Sequence, residues 1–99
     1  MDEIKMLCDR IVGLIQPEAV ILFSQKAGLD GKISSFKLCV VANGNPAEVE
    51  GKIYLSVDCP LPFDVLVYSP EDWERLRADD VSFAGRIYRT GRWLYGAQG

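Results

Sequence analysis

The chain has 99 residues, enough for one hydrophobic core and too few for two, so a single domain over residues 1–99 is expected. Its composition, 48% hydrophobic and 25% charged, excludes an intrinsically disordered segment, and no apolar run approaches the length of a membrane span. A formal charge of −3 and a pI near 4.8 argue against the broad basic face that binds nucleic acid through its phosphates.

From Asp2 to Gln16 the residues Ile4, Leu7, Ile11, Leu14 and Ile15 recur at spacings that place them on one face of a helix. Pro17 ends that helix, because its ring cannot continue the hydrogen-bond ladder and restricts the residue before it. Val20 to Phe23 is a short, unbroken, β-prone apolar run, as expected of a strand covered on both faces. Ser24 to Ser34 holds Gly28, Gly31 and several polar side chains and reads as a turn and loop, which makes a hairpin the natural arrangement. Phe36 to Ala42 forms the second strand, entered through Ser34 and Ser35. Asn43-Gly44-Asn45-Pro46 closes it, with Asn45 as cap and Pro46 as first residue of the next element. Up to Val57 two patterns compete. Val49, Ile53, Tyr54 and Val57 lie at helical spacing, while Lys52 to Val57 also fits a strand; helix is the reading adopted.

Cys59-Pro60-Leu61-Pro62 is an extended connector that delivers Phe63 to Tyr68 as a third strand. Ser69 caps a helix opening on Pro70, with Trp73 and Leu76 facing inward. A further helix near Val81 to Arg89 puts Phe83, Ala84, Ile87 and Tyr88 on one face, with Asp80 as cap and Gly91 as stop. Trp93-Leu94-Tyr95 is a short strand or packed tail. The pattern predicts an α/β fold, a small mixed sheet of three to four strands flanked by helices.

The chemistry-bearing residues are sparse. Cys8, Cys39 and Cys59 are widely spaced and form no metal or thiol-redox motif, so they read as reduced thiols of a cytoplasmic protein, with Cys39 in the core. The acidic start Met1-Asp2-Glu3 lacks the basic opening of a signal peptide. There is no histidine, which removes the usual general base. Arg75, Arg77, Arg86, Arg89 and Arg92 alternate with Glu71, Asp72, Glu74, Asp79 and Asp80, a pattern of mixed surface pairs. Trp73, Phe83, Tyr88, Trp93 and Tyr95 read as packing between the last helices and the sheet; exposure of Trp93 and Tyr95 would instead mark a protein interface.

Ser35 and Lys37 share one face of the second strand, because strand side chains alternate, and Asp64 lies on the third strand. This order of elements, from the leading helix through Ser69-Pro70-Glu71-Asp72 to Gly91-Arg92-Trp93-Leu94-Tyr95, resembles the small nucleotidyltransferase domains of the polymerase-beta superfamily. The resemblance implies that Ser35, Lys37 and Asp64 occupy positions which in the family are acids holding catalytic magnesium. It also matches Ser24 and Gln25 to a Gly-Ser turn that grips nucleotide phosphates. Paired magnesium ions need carboxylates, and only Asp64 retains one. The expectation is therefore a degenerate, catalytically inactive domain with vestigial metal positions Ser35, Lys37 and Asp64, vestigial phosphate positions Ser24 and Gln25, and no cofactor. It would act as a protein-binding or regulatory module, antitoxin-like, with a protein partner or a second copy. Lys37 would either face Asp64 and neutralise it in place of a metal ion or simply point to solvent. The alternative is an active minimal nucleotidyltransferase that uses magnesium to move a nucleoside monophosphate from a nucleoside triphosphate to a protein or small molecule. It requires new ligands, for which Asp30 and Asp58 are the candidates.

Overall fold

The structure, a computed structural model, describes residues 2–96; Met1 and residues 97–99 of the domain expected over 1–99 lie outside it. Helix α1, Glu3–Ile15, begins where the Asp2 carboxylate accepts hydrogen bonds from the backbone N–H groups of Ile4 and Lys5. It ends at Gln16, which adopts a left-handed φ of 56° just before Pro17. The remaining elements are β1 Ala19–Ala27, β2 Ile33–Val41, α2 Pro46–Ser56, β3 Phe63–Tyr68, α3 Pro70–Leu76, α4 Phe83–Thr90 and β4 Arg92–Tyr95. The strands form one sheet in the order β3-β2-β1-β4, with β2 and β3 parallel and the other neighbours antiparallel. Helix α2 is the crossover that a parallel pair requires. The fold is thus mixed α/β, a four-stranded mixed sheet flanked by four helices.

Strand alternation divides the core in two. Val20, Leu22, Phe36, Leu38, Val40, Val65 and Val67 pack against Leu7 and Ile11 of α1 and Ile53 of α2. Ala19, Ile21, Cys39 and Val41 face the other way, against Trp73 of α3 and Ala84 and Ile87 of α4. Each of the larger side chains contributes roughly 1.5–3 kcal/mol by leaving water.

Two expectations are corrected. Strand β1 does not stop at Phe23; it continues through Ser24 and Gln25 to Ala27, and the hairpin turn shrinks to residues 28–32. A bulge between Leu22 and Ser24 lets the polar stretch stay in register with β2, so ladder hydrogen bonds override its loop-like composition. Helix α4 is capped by Ser82, whose hydroxyl accepts from the Gly85 N–H, and not by Asp80, whose carboxylate instead pairs with Arg89 at 2.9 Å. The ambiguous segment is helical, with Asn45 as its cap and Pro46 at its first position.

Tyr54, near the end of α2, explains why that segment favours helix despite Gly51. Its ring stacks on Phe63 at 5.4 Å, and Phe63 stacks in turn on the buried Phe36 at 5.9 Å. Its hydroxyl accepts a 2.8 Å hydrogen bond from the backbone N–H of Val65, on the outer edge of the terminal strand β3. At the other end of the fold Gly91 turns the chain from α4 into β4 with no room for a side chain: an added Cβ would lie 2.5 Å from Cγ2 of Ile21 and 2.7 Å from the Ile87 carbonyl. No helix of the described residues is long and apolar enough to cross a membrane.

Tyr54→Phe keeps the ring stack and removes only the acceptor, so a loss of about 1 kcal/mol in urea denaturation is expected. Gly91→Ala overpacks the α4–β4 turn and should cost about 1–3 kcal/mol in the same assay.

Candidate functional site

On β2 the side chains of Ser35 and Lys37 point to the face shared with Cys39 and Val41, and on β3 Asp64 points to the face shared with Leu66 and Tyr68. Lys37 and Asp64 are register partners across the parallel pair. On the other side of β2, Ser24 pairs with Lys37 and Lys26 with Ser35, so both join the same face. The result is an open cleft of about 280 Å³ lined by Ser24, Lys26, Ser35, Lys37 and Asp64, together with Phe36, Pro62 and Phe63.

The fold thus brings together four of the five positions singled out in the sequence. Gln25 is the exception. It pairs with the inward-facing Phe36 and borders a separate hollow beside α1, with Asp2, Cys8 and Arg92, so the sheet separates it from the cleft. Ser24 and Gln25 also lie inside a strand and not in a turn, so the expected phosphate-gripping turn is not formed there. Lys26 is the residue that sequence reasoning missed. Its signal is alternation with Ser24, legible only once β1 is extended past Phe23.

Lys37 and Asp64 are neighbours by backbone, yet no ion pair or hydrogen bond joins their charged ends, which corrects the expectation that the ammonium closes the site by direct contact. Both side chains are exposed, and in water such a pair gains little. The cleft carries one carboxylate and two lysines, a set that repels a divalent cation and offers it a single charged ligand. Among the described residues no group of three or more His, Cys, Asp or Glu side chains is placed to hold a metal ion. Asp30 is occupied at the hairpin tip, where its carboxylate accepts from the Lys32 N–H at 3.0 Å. Asp58 lies beside α1, its carbonyl accepting from Arg10, in a hollow with Met6 and Cys59. Neither joins the cleft, and magnesium does not fit the donors present.

Nucleophiles fare no better. Ser24 and Ser35 have no imidazole to activate them, since the chain lacks histidine. Burial pushes the Cys39 thiol up to about 12, and burial, with the nearby Asp9 charge, pushes Cys8 up to about 11, so neither forms a thiolate readily. The arginine-rich last quarter forms surface pairs as its interleaved acids suggest: Arg75 with Asp72, Arg77 with Glu74 and Arg89 with Asp80. Of the aromatic residues, Trp73 is buried, Tyr88 and Trp93 are half-buried, and Tyr95 is exposed; Phe83 sits apart, edge-on to Phe23 at 5.4 Å.

In comparison with known proteins, no family model, no curated protein and no solved structure matches this chain.

The thiols supply a check on the packing of the two cores. In the native protein at mildly alkaline pH, a thiol-specific reagent should label the half-exposed Cys59 quickly, and Cys8 and Cys39 only after denaturation.

Proposed function

We propose that this chain is a non-catalytic binding module of nucleotidyltransferase-like architecture, whose partner is a protein or a second copy of itself. The observation that carries the reading is the register of Lys37 against Asp64 on one open face of the sheet. Where the resemblance calls for carboxylates that gather magnesium, this face presents a serine and an ammonium group. Nucleotidyl transfer needs charge neutralisation at both the attacking and the leaving oxygen, and one isolated acid does not assemble it. An active transferase would require further ligands in the cleft, and Asp30 and Asp58 lie elsewhere.

The surface offers a physical basis for partner binding. Strand β4 is the last of the sheet order, and no further strand among the described residues pairs with its outer side. An unpaired edge is a main-chain template on which a partner segment or a second copy adds a strand.

Calorimetric titration with magnesium and ATP tests the reading directly. The natural chain should show no magnesium-dependent nucleotide binding; clear binding would overturn the proposal. The Ser35→Asp, Lys37→Asp double variant places three acids on one face. It should melt at a lower temperature without magnesium, recover with it, and bind magnesium at least about tenfold more tightly than the natural chain, the equivalent of ~1.4 kcal/mol.

A further inference from the structure

At the opposite end of β1 and β2 from the cleft, on the same side of the sheet, lies a larger hollow of about 460 Å³. Three of its walls are aromatic: Trp73 of α3, Tyr88 of α4 and Trp93 of β4. Their ring centroids are 6.2 Å apart for Trp73 and Tyr88, 6.4 Å for Trp73 and Trp93, and 5.8 Å for Tyr88 and Trp93. The corresponding interplanar angles are 62°, 61° and 83°, so the three rings are steeply inclined to one another. Aromatic faces attract cations through their quadrupole, and several faces converging on one space add their fields.

The polar residues of the hollow favour the same sign of ligand. Glu18, Glu71 and Glu74 line it, against the single cation Arg77. Glu74 is committed to Arg77 at 2.7 Å, while Glu18 and Glu71 have no ion-pair partner among the described residues. One positively charged group already uses an aromatic face here: the Arg77 guanidinium carbon sits 4.7 Å from the Tyr88 ring centroid.

We infer that this hollow binds a small organic cation, an alkylated ammonium group. The ammonium shell lies against the Trp73, Tyr88 and Trp93 rings, and Glu18 and Glu71 balance its charge. A large, weakly hydrated alkylammonium suits such a space better than an inorganic cation, because its methyl groups bury apolar surface while its charge stays within reach of the rings. The site is distinct from the cleft around Lys37 and does not depend on the function assigned to it.

The chain contains 2 tryptophans and both line this hollow, so intrinsic fluorescence reports on it. Choline is the probe, compared with its uncharged tert-butyl isostere and with sodium chloride at equal ionic strength. A saturable change in emission with choline only is the expected result. The Glu18→Gln, Glu71→Gln double variant, whose exposed side chains leave the core untouched, should melt as the natural chain does and bind choline about fivefold more weakly. No saturable response to choline, an equal response to the isostere, or an unchanged affinity in the double variant would each overturn the inference.

Discussion

Leu38, Cys39 and Val40 follow one another along β2 with no exposure at all, a run that requires strands on both sides and helices on both faces. The two cores of the protein are the two sides of this strand, and everything else is arranged around covering them. The covering is unequal. A nine-residue strand such as β2 extends roughly 30 Å, whereas the seven- and eight-residue helices α3 and α4 are each only about 10–12 Å long. They shield the Cys39 and Val41 end of one face and leave the Ser35 and Lys37 end open. The cleft is the part of the sheet that its short helices do not reach.

That geometry gives the open end its polarity. Within β2 the pattern changes from continuous burial at residues 38–41 to residues 34–37, where Phe36 alone is buried. Side chains on the uncovered face meet water, and at this end they are hydroxyls, lysines and Asp64. A metal centre would demand several carboxylates converging with little tolerance in position. Here the positive side chains outnumber the single acid, and the electrostatics favour anionic or hydrogen-bonding contacts over divalent cations.

Much of this was legible in the sequence, for identifiable reasons. The spacing from Ile4 to Ile15, the stop at Pro17, and the Asn45-Pro46 and Ser69-Pro70 openings are local signals, set by backbone sterics and capping hydrogen bonds that no distant contact overrides. So was the shared face of Ser35 and Lys37, which alternation fixes once β2 is identified, whereas Asp64 joins them through the parallel register of β3. What escaped depends on pairing between segments. The side to which Gln25 points and the presence of Lys26 in the cleft stem from the bulge after Leu22, the extension of β1 to Ala27 passes through a second irregularity after Lys26, and composition carries no mark of either. The choice of Ser82 over Asp80 as a cap is of the same kind. Asp80 is drawn away by Arg89, nine positions along, and Ser82 also donates to the carbonyl of Leu76.

The Tyr54 hydroxyl has a consequence for how the molecule meets other copies of itself in a crowded solution. It rides on the final turn of α2, a helix with Gly51 near its middle, and it masks the Val65 amide on the rim of the sheet. Fraying of that turn and unmasking of the rim are therefore a single event. Strand addition at this rim is therefore opposed by a neighbouring helix, and residues that firm up that helix guard the edge without touching the strand.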